Sequence, residues 1–575
     1  MRDLVRASLV RVLEQFGEYE EDYVLELDQP RDPSHGDLTT NVALILARKL
    51  GRKPRELAGE IAAQLEIDRA VIESVEIAGP GFINFRAAGG WWTSCIREIL
   101  EQGEAYGRSD SGEGQRVNIE FVSANPTGPW NIVSARAASV GSALTRTMEA
   151  AGYRPHAEFY CNDAGRQVRI FGASVRARYA EAIGLSGVGF PEEGYRGDYV
   201  TEIGRELAAA PDLRPQTDEI PNVGRIQGRL PEVTGTPAEW MEFDEEVSAE
   251  AFGRYALHKM IGDQRRTCTR FGLDFDTWFL ESDLHRNDRL VPALERLKSE
   301  GHVYEQDGAT WFRSTDFGDE KDRVVVKADG MPTYFLSDVA YHLSKHERGT
   351  DHAIDFLGPD HHGHISRMQA AMQGLGLPAD WLEIIVLQQV NLILDGKPLE
   401  MSKRAGRLVT VDQLIDEVGV DVAKFFFLAR KNTSHMDFDL DLAKAESNEN
   451  PVYYVKYAHA RICSVLRNAG ARSLDFSGVS DEELSRLEHS AEHDLLRLLP
   501  ELAGQIASAA RSREMSRLTS FAMEVAGAFH PFYHQCTILG DDEGLSRARL
   551  ALCEATRTVL ANTLRIIGVD APERM

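Results

Sequence analysis

Three stretches of the chain combine residue types that can do chemistry. The first, VNIEFVSANPTGPWNIVSARAASVG from Val117 to Gly141, opens with alternating apolar Val117, Ile119 and Phe121. It turns at Pro126, Gly128 and Pro129, then resumes at helical spacing through Ala137, Val140, Gly141 and Leu144. Strand, tight loop and helix in that order bring the unpaired N–H groups of a helix's first turn to one point, where the helix dipole favours anionic phosphate. The same pattern also suits an ordinary turn of an α/β domain. The second stretch, LEMSKRAG with Met401 to Gly406 at its heart, carries Lys403, a mobile point charge able to follow phosphate oxygens, beside the hydroxyl donor Ser402. The third, GPDHHGH from Gly358 to His364, holds three histidines and invites a zinc reading. A structural zinc site wants four ligands at chelating spacing, and no Cys or acidic partner pattern accompanies these, so no tightly bound metal is expected.

The elements that must position these stretches divide the chain in three. Residues 1–112 read as an α+β unit: helical periodicity at the start, Ser34 or Asp37 as a cap ahead of the apolar stripe Val42, Ile45, Leu46 and Leu50, then a strand at Val75 to Ile77 and an extended Phe82 to Phe85. Residues 113–420 alternate strand and helix, which implies a parallel sheet with ligands at the carboxyl ends of its strands. Within them, about 185–245 are dense in proline, glycine and charge and read as an irregular insertion. Residues 421–575 turn helical, with Tyr453, Tyr454, Tyr457, Ala458 and Ile462 at helical spacing, and form an α-helical bundle.

At 575 residues, 43% hydrophobic and 27% charged, the chain can build several sizeable cores. No apolar run approaches the roughly 20 residues of a membrane span, and the charged amphipathic N-terminus is no secretory segment, so no membrane association and a cytoplasmic location are expected. The six scattered cysteines read as reduced, mostly buried thiols. A net charge of −26 argues against a protein that coats nucleic acid, but leaves room for local basic patches that meet one folded RNA.

SANPTGP, MSKR and GPDHHGH, with HGD…N and PGFINF near the start and DVAKFFFLAR, SNENPVYYVKYAHARI and APERM toward the end, resemble the arginyl-tRNA synthetases over essentially the whole chain. The resemblance implies a Rossmann-like class I catalytic core, an N-terminal tRNA-contacting domain, a C-terminal anticodon-binding bundle and a monomer. It implies ATP with Mg²⁺, L-arginine and tRNA(Arg) as the bound molecules. Asn125 would hold the substrate's α-amino group, while Glu281, Tyr334 and Asp338 would grip the guanidinium. Arginine's planar fork suits fixed carboxylates, and Tyr334 and Asp338, four apart, share one helix face. Gly358, Asp360 and His361 would lie beside the ribose and adenine, with Met401, Ser402 and Lys403 at the phosphates. Asp37 and Asn41 would meet the outer corner of tRNA, although a capping turn is the simpler role for Asp37. Tyr457 and Met575 would meet the anticodon loop.

One signature departs from the family. The "HIGH" motif falls on Asn131, Ile132, Val133 and Ser134, so both histidines and the glycine are missing. Asn131 and Ser134 keep neutral donors for phosphate, and Arg136 is expected to restore cationic character if it points into the site. Glu400 likewise replaces the leading lysine of KMSKR.

Overall fold

The computed structural model describes residues 1–15, 27, 30, 32, 35–210, 224–359, 362–399 and 410–575. Ser34, Asp360, His361, Met401, Ser402, Lys403 and Gly406 lie outside the described residues.

The centre of the molecule is a six-stranded parallel sheet in the order Leu382–Val386, His352–Leu357, Arg116–Glu120, Arg154–Cys161, Thr277–Leu280, Arg225–Gln227. Parallel strands are covered on both faces, and Thr277–Leu280 is accordingly buried at every position. From Arg116–Glu120 the chain adds strands first on one side and later, with His352–Leu357, on the other. The crevice outside the carboxyl ends of those two strands is the switch point where α/β sheets bind ligands. The helix Ile132–Ala150 lies so close to the sheet that a Cβ on Gly141 would stand 2.2 Å from the Phe121 ring, so only hydrogen fits there. Beneath it Phe121, Trp130, Phe159, Phe275 and Trp278 pack ring on ring, with Phe159 and Trp278 centroids 4.0 Å apart.

The N-terminal residues build a small core of Leu9, Leu46, Leu57, Ile61, Ile83 and Phe85 between helices and the antiparallel strands Leu38–Thr40, Phe82–Ala87 and Ile72–Ala78. The following helix, Gly89–Gln102, gives Ile96 and Ile99 to the main core instead. That core is continuous with the C-terminal helices, among them Pro451–Ala471, Ser516–Gln535 and Glu543–Ile567.

The stretch expected to be irregular contains more order than its composition suggests. The amphipathic helix Asp198–Ala209 buries Val200, Ile203 and Leu207, and Arg225–Gln227 joins the sheet edge. Proline and glycine on either side hid a face that repeats every three to four residues.

Asp37 also departs from expectation. Its carboxylate faces inward, where Oδ1 accepts from Arg497 Nε at 2.8 Å and Oδ2 from the Ala87 amide at 2.9 Å, so it ties the N-terminal unit to the C-terminal helices instead of lying open to RNA. Asn41 occupies the N-cap position of Val42–Leu50. All six cysteines are buried free thiols, and no helix among the described residues is long and apolar enough to cross a membrane.

Candidate active site

The strand Thr277–Leu280 runs straight into the helix Glu281–Arg286, which places Glu281 at a strand end with its side chain 6% exposed. Asp163, just past the end of Arg154–Cys161, holds that helix start: Oδ1 accepts from the Ser282 amide at 2.8 Å and Oδ2 from its hydroxyl at 2.6 Å. Asp338 comes from Tyr334–Glu347, a helix begun by the Thr333 hydroxyl accepting from the Leu336 amide. Between the two carboxylates stands Tyr160, hydrogen-bonded to Glu281 and within electrostatic reach of Asp338 and Glu120. Tyr334, one helical turn before Asp338 and 74% exposed, stands at the rim with its hydroxyl beside Gly165.

These surroundings are hostile to negative charge. Burial, joined by the charges of Asp163 and Asp338, pushes Glu281 up to about 7 despite the hydrogen bond from Tyr160. Enclosure and the charges of Glu120 and Asp355 push Asp338 up to about 6, against the pull of His342 and Arg367. His285 lies 4.0 Å from Glu281 and His364 3.8 Å from Asp338. The structure thus brings Glu281 and Asp338 to one acidic cup with Tyr334 at its rim, and burial and neighbouring acids raise the proton affinity of both carboxylates.

Below the cup lies a buried charge network. In register across three neighbouring strands stand Asp355, Glu120 and Glu158. The Tyr334–Glu347 helix and its end answer them with Tyr341, His342, Lys345 and Arg348. Lys345 Nζ donates to Glu120 at 2.6 Å and to Asp355 at 2.8 Å, and Arg348 clasps Glu158 with two nitrogens. Tyr341 bridges Glu120 and Glu158 at 2.9 and 2.7 Å. His342 sets one ring nitrogen 2.7 Å from Asp355 and the other 2.8 Å from the Asp338 carbonyl. Two acceptors on two nitrogens require the doubly protonated ring, and although burial opposes charge, Asp355 holds His342 above its ordinary value. The sequence reading missed this network. Its signal was there in Glu120-Phe121, Glu158-Phe159 and Asp355-Phe356, an acid before a phenylalanine in each of three strands.

At the first signature, Asn131 caps the helix Ile132–Ala150, its Oδ1 accepting from the amides of Val133 at 3.0 Å and Ser134 at 3.2 Å. That occupies two N–H groups of the first turn, and the Ser134 hydroxyl also donates to this Oδ1 at 3.5 Å, a long bond it can exchange for a phosphate oxygen, while the Asn131 amide hydrogens stay available as side-chain donors. Arg136 does not point into the site as expected. It is fully buried on the far side of the helix and donates to the carbonyls of Gln388, Lys431 and Ser434 at 2.7, 2.9 and 3.1 Å. Its role is to pin backbone, and burial lowers its proton affinity.

Asn125 is exposed on the same loop, and Gly358 follows His352–Leu357 at the switch point, with open space where a side chain would be. Thr410 forms a bridge with Asn131, and the Val411 amide donates to the Trp130 carbonyl at 2.9 Å. In the C-terminal bundle Tyr457 stacks on Tyr453 and lies under Arg461, and Met575 is exposed. No group of three or more metal-ligating side chains converges among the described residues.

A parallel nucleotide-type sheet, an acidic cup at the carboxyl-end side of its strands and a helical C-terminal domain define a class I aminoacyl-tRNA synthetase. Family models agree region by region: "Arginyl tRNA synthetase N terminal domain" over residues 2–87, "tRNA synthetases class I (R), catalytic domain" over 246–458 and "DALR anticodon binding domain" over 455–575. The arginine–tRNA ligase of Desulfitobacterium hafniense is 44% identical over 96% of this chain and 94% of its own length. That of Bacillus subtilis is 43% identical over 100% and 99%. The Thermus thermophilus arginyl-tRNA synthetase structure shares the fold at a TM-score of 0.77 and 20% identity, covering 100% of both chains. The chain belongs to the arginyl-tRNA synthetase family.

Proposed function

We infer that this chain is an arginine–tRNA ligase that activates L-arginine with ATP and transfers it to the terminal adenosine of tRNA(Arg). The observation that carries the reading is the acidic cup, which offers a guanidinium two carboxylates and a tyrosine at the nucleotide-binding edge of the sheet. ATP enters as its Mg²⁺ complex. The arginine carboxylate attacks the α-phosphate and pyrophosphate leaves. A ribose hydroxyl of the tRNA, the 2′-OH in class I enzymes, then attacks the activated carbonyl and AMP leaves. Asn125 holds the α-amino group, Gly358, Asp360 and His361 the nucleoside, and Asn131, Ser134, Met401, Ser402 and Lys403 the phosphates, with Lys403 neutralising charge on the departing pyrophosphate. The enzyme works as a cytoplasmic monomer, and tRNA assists the first step. Arginine-dependent ATP–pyrophosphate exchange, with and without tRNA, tests the reading; no exchange under either condition overturns it.

Two expected results follow from the geometry. Because arginine binds the ionised cup, its arrival depresses the raised proton affinities of Glu281 and Asp338 and releases protons. Affinity therefore rises with pH through the range of about 6 to about 7 and levels off above it. Between pH 8 and 5.5 the dissociation constant should rise by about 10- to 100-fold. Calorimetric titration in buffers of different ionisation enthalpy counts the protons, and a pH-independent constant without release removes the cup from recognition. The second result concerns the altered signature. Ser134→His is expected to lower exchange, because imidazole crowds the Asn131 cap 3.5 Å away. A faster variant would mark the segment as a decayed form of the usual motif.

A further inference from the structure

The loop from Asn125 to Asn131 joins the residue assigned to the amino acid to those assigned to the nucleotide, and its backbone is gripped from outside the sheet. Gln264, 1% exposed on the helix Glu245–Phe271, donates its side-chain amide to the carbonyls of Asn125 at 3.2 Å and Gly128 at 2.9 Å. Those are the carbonyls that precede Pro126 and Pro129, so each of these two peptide bonds lacks an N–H and has the carbonyl as its only polar handle. Between them, the Tyr199 hydroxyl donates to the Thr127 carbonyl at 2.7 Å. Tyr199 lies on the helix Asp198–Ala209, inside the stretch whose composition read as irregular. Upstream, Val122 and Ser123 hold φ of +69° and +37°, conformations that a β-branched and a hydroxyl side chain keep only when neighbours impose them.

We propose that Tyr199 and Gln264 are positioning residues for arginine activation, fixing the Asn125–Asn131 backbone so that the amino acid's carboxylate and the nucleotide's α-phosphate meet in line. The proposal rests on the functional reading above and deepens it. With both signature histidines replaced and Arg136 turned away, alignment in this chain depends on where the loop backbone stands. The three gripped carbonyls face the two outer helices. Planarity of the trans peptide turns the N–H of Gly128 to the opposite side.

Tyr199→Phe removes one hydroxyl, and Gln264→Met removes both amide donors at similar volume. A displacement of the order of 1 Å between reacting groups costs about 100-fold in rate, so each variant is expected to lose about 10- to 100-fold in kcat for exchange. The KM for arginine and for ATP should change less than about threefold, since each ligand keeps its own contacts. The double variant should lose less than the product of the singles, because both grip one loop. Hydrogen–deuterium exchange of the unliganded full chain gives a readout that needs no activity: amides in 122–135 should exchange at least about tenfold faster in both variants, with the rest of the sheet unchanged. Unchanged exchange in 122–135 overturns the proposal even if the parent protein proves inactive. So do a kcat within twofold of the parent in folded variants, and losses in every parameter that only follow a lowered folded fraction.

Discussion

Asp338→Ala is expected to raise the KM for arginine by about 30- to 150-fold, with the KM for ATP changing less than about threefold. The magnitude follows from the bond lost. A guanidinium paired with a carboxylate in a partly enclosed site forfeits about 2–3 kcal/mol when the carboxylate is removed, and each 1.36 kcal/mol is tenfold. Full enclosure would cost more, but the Asp338 side chain is 36% exposed. Removal also relieves Glu281 of a neighbouring negative charge, so Glu281 should ionise more readily in the variant and the pH dependence of arginine binding should shift downward. Initial rates of pyrophosphate exchange at varied arginine and varied ATP separate the effects. Equal rises in both KM values would detach Asp338 from amino-acid recognition.

Lys345→Met is expected to cost about 3–5 kcal/mol of stability, because it leaves Glu120 and Asp355 side by side and buried without their shared cation. Denaturant unfolding, followed by a signal from the catalytic core, measures this; a loss below 1 kcal/mol would show that the two acids had been neutral. The sign with pH is fixed by the partners. Asp355 is held well below the usual carboxylate range, so its contribution is present at neutral pH and is lost as pH falls through its folded value. Lys345 is held above its ordinary value, so its contribution is present below about 10 and lost in stronger alkali. The Lys345–Asp355 pair therefore stays charged across the range in which arginine affinity changes, and the two effects can be measured apart.

Much of the catalytic core was legible because its elements advertise themselves locally. Alternation at Val117, Ile119 and Phe121 and the prolines after it define a strand and a turn whatever the rest of the chain does. The cup was legible only through resemblance: Glu281 and Asp338 are 57 residues apart in sequence, and no local pattern says that an acid at a strand end and an acid on a helix share one space. Arg136 shows the converse limit. A single arginine on an amphipathic helix looks like a solvent or site residue, and only the carbonyls of Gln388, Lys431 and Ser434, brought in from 250 to 300 positions away, give it a buried destination. Tyr199 was hidden for a different reason, since flanking glycine and proline masked the helix that carries it.

The bond between Asp37 and Arg497 joins positions 460 apart, and Arg2 with Glu501 and Arg97 with Asp481 span similar separations. A ribosome makes the chain from the amino end at about 5–20 residues per second. The first-made unit therefore waits tens of seconds before its docking partners exist, while its own small core can already close. The order of synthesis therefore places these contacts of the N-terminal unit after residues 481–501 have been made.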